Sequence, residues 1–217
     1  MDWLRWNRAR YDAYAPVYDT FVRRFGFIER GRRRAHEFAQ LRAGERVLII
    51  AAGTGLDLPL IPAGLEIVAI DISPAMLARL RRRADAGANR VDVAVMDAAR
   101  LGFSPSSFDC VLLHLAIAVV PNPFGTMREV TRVLRPGGRV SVFDKFLPDD
   151  VIASLPRRVA SALLRLVATD LNRQLGPLLA AGGLTLRARE AVGLGGLFVA
   201  ARAEKVAHSG GGSRTDR

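Results

Sequence analysis

Residues 46–73, RVLIIAAGTGLDLPLIPAGLEIVAIDIS, decide the fold. The apolar run at 47–51 is continuous rather than alternating, which is typical of a parallel strand covered on both faces. A glycine turn at 53–55 follows, then a predicted short helix, and then a second apolar strand at 67–70 that ends in Asp71. Glycines let the backbone turn sharply close to a ligand, and an acid at a strand tip can hold a ribose diol. The stretch therefore predicts an α/β fold with a nucleotide site at the carboxyl ends of its strands.

The spacing of the glycines narrows the choice of nucleotide. A dinucleotide fingerprint G-x-G-x-x-G would need a small residue where Leu58 stands and a glycine where Ala51 stands. A phosphate loop of the form G-x-x-x-x-G-K-S/T is absent from the sequence. Both NAD or FAD and a nucleoside triphosphate are therefore disfavoured.

The same stretch resembles the first motif of the class I S-adenosylmethionine (SAM) methyltransferases, D/E-x-G-x-G-x-G, whose second strand also ends in an acid. Gly53, Gly55 and Asp71 fit this pattern. Ile49 and Ala51 depart from it, because they stand where the family has its acid and its first glycine.

A second, independent match lies at 129–144, EVTRVLRPGGRVSVFD, which resembles the family motif E-x-x-R-V-L-K/R-P-G-G-x. The resemblance implies an α/β, Rossmann-like fold. In it, a seven-stranded, mostly parallel sheet has an antiparallel last strand, helices on both faces and an N-terminal helical cap.

The resemblance also implies which residues contact SAM. Asp71 would hold the ribose, and Asp97, at the end of the third predicted strand, would accept from the adenine amino group. The cofactor candidates are Tyr11, Ala51, Gly53, Thr54, Gly55, Asp71, Ile72, Met76, Asp97, Ala98 and His114.

The string YDAYAPVYD at 11–19 precedes these motifs. It resembles the signature Y-x-x-x-A-x-x-Y-D of the branch that contains bacterial phosphatidylethanolamine N-methyltransferases and ubiquinone/menaquinone C-methyltransferases. In that branch the segment folds over the cofactor, which would place Tyr14 and Tyr18 near its methionine end or the acceptor. On a helix, Tyr11, Tyr14 and Tyr18 would share one face, as either a core stripe or a pocket wall. A helix is predicted from 17 to 41, in which the charge run RGRRR is more typical of a solvated face.

His114 directly follows the fourth predicted strand, at 110–113. An imidazole there could take a proton from an attacking amine, because its unperturbed pKa lies near neutrality. The alternative is a strand-end residue bonded to the backbone. The catalytic candidates are His114, Tyr18 and Tyr14.

The rest of the chain is predicted to complete the sheet and cover the acceptor site. A helix is predicted at 127–134, a fifth strand at 139–143 and a closing hairpin at 184–191 and 195–203. Residues 148–181 have helical apolar spacing, which fits either a lid with a basic face or an amphipathic helix over the sheet edge. The candidates for binding a substrate phosphate are Lys145, Arg157 and Arg158, although Lys145 could instead pair with Asp144.

Length and composition predict a single domain over 1–204. The chain has 217 residues, of which 50% are hydrophobic. The predicted parts are a cap at 1–42, a SAM-binding core at 43–147, an insertion at 148–182, a hairpin at 183–204 and a disordered tail at 205–217. The sequence has neither eighteen consecutive apolar residues nor a signal-peptide core at its start, so a cytoplasmic location is expected.

The formal net charge of +11 indicates an anionic partner or a solvated basic face. Trp3 and Trp6 lie among Arg5, Arg8 and Arg10, which is typical of a segment on the inner face of a membrane. The alternative is a helix that packs its tryptophans on the domain. Nucleic acid is disfavoured because no recognition module accompanies the core. One cysteine and three scattered histidines show no ligand spacing, so the sequence predicts neither a disulfide nor a metal site.

Together these features predict a SAM-dependent methyltransferase that acts on a lipid or small molecule. Phosphatidylethanolamine N-methylation at a membrane surface is favoured. The alternatives are C- or O-methylation of a quinone precursor or another small aromatic, and a SAM-binding protein with altered chemistry.

Overall fold

The computed structural model describes residues 3–151 and 170–206. The strands within these ranges are β1 Arg46–Ile50, β2 Glu66–Asp71, β3 Arg90–Val95, β4 Phe108–His114, β5 Leu134–Lys145, β6 Leu184–Gly193 and β7 Phe198–Lys205. They form one sheet in the order β3-β2-β1-β4-β5-β7-β6. The last strand, β7, runs antiparallel to both of its neighbours, and the strands from β3 to β5 pair in parallel. The predicted seven-stranded sheet with an antiparallel last strand is confirmed.

The helices described are α1 Trp3–Tyr14, α2 Tyr18–Arg23, α3 Gly26–Ala39, α4 Pro74–Ala84, α5 Pro123–Val133 and α6 Leu175–Gly182. Helix α4 starts after Ser73, which caps it by accepting a hydrogen bond from the Met76 amide at 3.1 Å, and Pro74 suits the first helical position that follows. Asn122 caps α5 in the same way through the Gly125 amide at 2.9 Å. These caps set the two helices at the carboxyl edge of the sheet.

The core lies on both faces of the sheet. Helices α5 and α6 pack on one face, against side chains such as Leu48, Val111 and Val142. Helices α3 and α4 pack on the other, where β1 presents Val47 and Ile49. Both faces of the central strands are therefore covered, as the continuous apolar run of β1 predicts.

Helix α3 approaches the sheet closely at one glycine. A Cβ on Gly31 would overlap the ring of Phe143 on β5. The next residue, Arg32, is buried as well, so the prediction that the run RGRRR lies on a solvated face is wrong for these two residues. The opposite edge of α3 does face solvent at Arg30 and Arg33.

The N-terminal helical region differs from the single predicted helix at 17–41. Helices α2 and α3 are separate, because Phe25 takes an extended backbone with φ −104° and ψ 90°. Its ring packs edge-on against Phe21, with ring centroids 5.3 Å apart, and against Phe27 at 5.8 Å. This break lets Val22 and Ile28 both reach the core.

Two other predicted elements have different bounds. Helix α5 begins four residues earlier than the predicted 127, and strand β5 already starts at Leu134, so that it includes the RPGG sequence. Gly137 there has φ 75°, which lets the strand bend after α5. No helix in the described part of the chain has the length and apolarity needed to cross a bilayer.

Candidate functional site

The site is built on the loop that follows β1. Ala51, Gly53 and Gly55 have φ of 52°, 55° and 82°, so all three have the left-handed backbone that favours glycine. The family motif has its first glycine at the position of Ala51, and the left-handed backbone there explains why glycine is preferred. Ile49, where the family has an acid, lies buried among apolar side chains of the α4 face.

Asp71 ends β2 and holds this loop. Its Oδ2 accepts the Gly53 amide at 2.8 Å, and its Oδ1 accepts the Ser73 amide at 2.9 Å. Burial raises the pKa of Asp71, against the backbone hydrogen bonds, which lower it. The carboxylate is 7% exposed, and it borders the cavity described next.

An open cavity lies at the carboxyl ends of β1, β2, β3 and β4, as expected for ligand sites in open α/β sheets. Its walls come from α1, α2 and four strand-end loops. The lining residues are Leu4, Asn7, Tyr11, Tyr18, Ala51, Gly53, Asp71, Ile72, Met76, Met96, Asp97, Ala98, Leu115, Val119, Val120 and Pro121.

Helix α1 covers the cavity and is fastened at two places. Asp12 accepts from the Ser73 hydroxyl at 2.5 Å and from the Ala75 amide at 3.1 Å, at the start of α4. Asn7 donates to the carbonyl of Val119 at 3.1 Å. The helix is thereby held against both sides of the cavity.

Helix α2 is fastened by Asp19 to the loop at 51–57, which follows β1. Its carboxylate accepts from the Thr54 hydroxyl at 2.5 Å and from Arg83 at 2.6 Å, and Arg83 also donates to the Thr54 carbonyl. Both acids of the YDAYAPVYD string therefore bind the N-terminal helices to the core.

The tyrosines of this string have different positions. Tyr11 and Tyr18 line the cavity, and burial raises the pKa of both phenols, that of Tyr18 to about 12. Both therefore keep their protons at neutral pH. Tyr14 is 42% exposed and is not among the lining residues.

His114 lies on the α3 face of the sheet, away from the cavity. Its side chain is 0% exposed, its Nδ1 lies 2.6 Å from Asp57 Oδ1, and its Nε2 lies 3.1 Å from Ser141 Oγ. His36 Nε2 lies 2.8 Å from the same Asp57 oxygen, and Arg32 donates to Asp57 Oδ2. We call these four residues, Arg32, His36, Asp57 and His114, the buried carboxylate cluster.

Charge decides the protonation of this cluster. Burial alone would raise the pKa of Asp57, but Arg32 and the two histidines outweigh burial and hold it well below its usual range. Burial lowers the pKa of His114, against the opposing effect of Asp57. Asp57 is thus an anion, and because a carboxylate only accepts, the His114 Nδ1 beside it carries a proton.

His36, Asp57 and His114 also bring three metal-ligating atoms within 4.8 Å of one another, which their scattered sequence positions do not reveal. Arg32 already supplies the positive charge at Asp57. The arrangement is therefore explained by N–H donors around an anion.

The structure brings most of the predicted cofactor residues together. Eight of them line the cavity: Tyr11, Ala51, Gly53, Asp71, Ile72, Met76, Asp97 and Ala98, and the catalytic candidate Tyr18 lines it as well. Thr54 is instead buried against Asp19, and Gly55 lies where a Cβ would come 3.0 Å from Leu80 Cγ. At the end of β4, Leu115 faces the cavity and His114 does not.

The predicted phosphate-binding residues lie elsewhere. Lys145 Nζ lies 5.2 Å from the centroid of the Phe198 ring and 3.8 Å from Asp144, and it does not line the cavity. Arg157 and Arg158 lie outside the described residues.

Sequence reasoning missed seven lining residues. Four of them, Leu115, Val119, Val120 and Pro121, follow β4 in an apolar run, which is the signal that could have identified them. On α1, nothing in the pattern singles out Leu4 or Asn7. The missed residues are Leu4, Asn7, Met96, Leu115, Val119, Val120 and Pro121.

Comparisons with known proteins agree with this geometry. Residues 48–142 match the methyltransferase domain family. A phosphatidylethanolamine N-methyltransferase of Cereibacter sphaeroides is 36% identical over 135 residues, which cover 61% of this chain and 65% of that protein. A demethylmenaquinone methyltransferase of Renibacterium salmoninarum is 38% identical over 138 residues, which cover 62% of this chain and 56% of that protein.

Among solved structures, the methyltransferase in complex with the Trm112 activator of Haloferax volcanii has a TM-score of 0.72 at 18% identity, covering 93% of this chain and 98% of that one. At this identity the likeness shows the fold alone. The chain spans less than two thirds of the length of the two curated relatives above. The match at 48–142 and the similarity to these relatives confirm the predicted resemblance to the SAM-dependent methyltransferases.

Proposed function

We propose that the protein binds SAM in the cavity at the carboxyl edge of the sheet and transfers its methyl group to a lipid or small-molecule acceptor. The observation that carries this proposal is the convergence of Asp71, Asp97 and the left-handed loop at Gly53 on one cavity beneath α1. Two acids at neighbouring strand tips suit a ribose diol and an adenine amino group.

The residues present fit SAM. Asp71 uses one lone pair of each oxygen on a backbone amide, which leaves acceptor capacity for hydroxyl groups. Ile72 and Met76 offer apolar contact to a purine, and Asp97 is partly exposed beside them. Bound SAM supplies a sulfonium methyl group that needs no further activation.

The contribution of the chain is then positioning and exclusion of water. Methyl transfer requires the acceptor atom in line with the breaking bond, and holding it there can supply several kcal/mol, of order 7 or more in well-oriented cases. Helix α1 covers the cavity with Leu4, Asn7 and Tyr11, which suits this task.

Phosphatidylethanolamine at the inner membrane surface is the acceptor we favour. The support comes from the similarity to a phosphatidylethanolamine N-methyltransferase and from the net charge of +11, which favours an anionic bilayer. Tyr11 and Tyr18 keep their protons and His114 is sealed from the cavity, so these groups do not act as the base. The amine is therefore expected to enter already unprotonated.

A quinone precursor is the second candidate. It is favoured by the similarity to a demethylmenaquinone methyltransferase and by the apolar wall of Leu4, Met96, Val119 and Val120. A planar apolar ring would fit such a wall without a charged partner.

The test is transfer of label from methyl-labelled SAM to phosphatidylethanolamine in vesicles, compared with a soluble demethylated quinol. We expect labelled lipid, formed faster as pH rises toward the pKa of the amine. Labelled quinol without labelled lipid would favour the second candidate. Failure of the protein to bind SAM in calorimetry would refute both candidate acceptors, and a protein with altered chemistry would remain.

A further inference from the structure

The buried carboxylate cluster lies behind the cofactor site rather than in it. Asp57 ends the loop that begins at Ala51, and its side chain is 5% exposed. Arg32 and His36 come from α3, and His114 comes from the end of β4. One carboxylate therefore joins a loop, a helix and a strand that are far apart in sequence.

The cluster is built to keep an anion buried. An isolated buried carboxylate costs several kcal/mol in folding free energy unless it is paired and hydrogen-bonded. Here Arg32 donates to one oxygen, and His36 and His114 donate to the other at 2.8 and 2.6 Å. His114 is in turn oriented by Ser141, 3.1 Å away on β5.

Two walls of the cavity depend on these contacts. The loop lines the cavity with Ala51 and Gly53, is held at Gly53 by Asp71, and is held again four residues later by Asp57, so the segment that follows its cavity-lining part ends at a fixed point. On the other side, Leu115 lines the cavity directly after His114, with φ 56° and its amide bound to the Phe143 carbonyl at 2.6 Å.

We propose that Asp57 is a positioning residue for cofactor binding, which sets the loop at 51–57 and the end of β4 at the spacing that SAM needs. This inference rests on SAM being the ligand, as proposed above. It assigns Arg32, His36 and His114 to the support of Asp57 and not to contact with substrate.

The test is Asp57→Asn in the full-length protein. An amide retains the shape, but it loses the charge and presents an N–H group to one of the donors. We expect the Kd for SAM to rise about tenfold or more, with a matching rise in KM for SAM. The kcat at saturating SAM should stay within about twofold, because no group that touches the acceptor is changed.

Glu45→Gln is the matched control. Glu45 forms a partly buried ion pair with Arg139 at 2.6 Å, at the amino end of β1 and so at the far edge of the sheet. It should lower stability in the same way while leaving the Kd for SAM within about twofold. Equal weakening of SAM binding by both variants would reduce Asp57 to a general stability contact and overturn the proposal.

Two further measurements separate this inference from the proposed function. If the wild type does not bind SAM, the proposed function fails. Amide exchange of residues 51–57 then tests whether Asp57 positions the loop, and unchanged protection in Asp57→Asn overturns the inference. Titration of the wild type with Zn²⁺ alone is expected to show no stoichiometric binding. A one-to-one uptake that His36→Ala abolishes would make the cluster a metal site and contradict the proposal.

Discussion

Ala51 carries a backbone conformation that its side chain disfavours. With φ 52°, it occupies the left-handed region, which costs a non-glycine residue on the order of 1 kcal/mol or more. The adjacent Ala52 has no such φ and is buried. The departure from the family motif is therefore a local energetic cost at the cavity wall.

Ala51→Gly should raise the free energy of unfolding by up to about 1 kcal/mol, because relief of the backbone exceeds the added chain entropy. Denaturant unfolding measures this. Ala52→Gly, the control, should destabilise, since it loses a buried methyl group at an ordinary φ. If both variants lose stability alike, the strain at Ala51 is not relieved by glycine.

Asp71→Ala should weaken SAM binding about tenfold or more, because the acceptor of the ribose hydroxyls is lost. Burial already raises the pKa of this carboxyl, so part of the lost hydrogen bonding is offset by not burying a charge, and we expect a folded protein. Calorimetry measures the affinity. Asp92→Ala, an exposed acid on the neighbouring β3, is the control and should bind as the wild type does.

His114 makes stability depend on pH. Burial lowers its pKa in the folded protein below the usual value of 6.5, so the unfolded chain takes up a proton that the folded chain does not. This contribution is present above the unfolded pKa and is lost as pH falls from about 7 toward 5, with a slope of at most about 1.4 kcal/mol per pH unit. Denaturation curves of His114→Asn should show a flatter dependence in this window. An unchanged slope would mean that His114 is charged in the fold.

At the scale of elements, α1 is the wall of the site that we expect to open. Its fastening includes polar contacts at Asp12 and Asn7, whereas the sheet behind the cavity is a continuous apolar core. Hydrogen bonds of this kind contribute about 1 kcal/mol each, so an element held by a few of them can open without unfolding the domain.

Asp12→Ala should loosen α1, since it removes the acceptor for the Ser73 hydroxyl and the Ala75 amide. We expect faster amide exchange in residues 3–14 and a Kd for SAM raised severalfold. Arg8→Ala is the control, because Arg8 is half exposed and lies 4.0 Å from the same carboxylate, in a pair worth about 0–1 kcal/mol. Equal effects of the two variants would assign the result to charge rather than to the fastening.

At the scale of the molecule, the charge of +11 is carried by arginines spread over the whole chain. An anionic surface would attract such a protein from a distance set by ionic strength. This property is independent of the cavity at the carboxyl edge of the sheet.

Binding to vesicles should therefore increase with the anionic lipid fraction and fall with added salt, as sedimentation with the vesicles would measure. Neutral phosphatidylcholine vesicles provide the control. Binding that ignores both variables would remove the support that the charge gives to a phospholipid acceptor.

The sequence predicted those parts of the molecule that local patterns encode. The strand at 47–51 carries its own signal, and so do the strand-end acids Asp71 and Asp97. Strand position predicted that His114 lies at the edge of the sheet, but it could not give the face on which the side chain lies. The cluster at Asp57 was missed because its members lie far apart in sequence and meet only through the packing of α3 on the sheet.

The absence of a side chain at Gly31 sets how closely α3 packs on the sheet. The backbone of α3 rests directly on Phe143, so a single added methyl group would move the whole helix outward. Arg32 and His36 travel with the helix, while Asp57 stays on its loop. A methyl group at residue 31 would therefore move two hydrogen-bond donors away from Asp57, and from the role proposed for that carboxylate we expect weaker SAM binding.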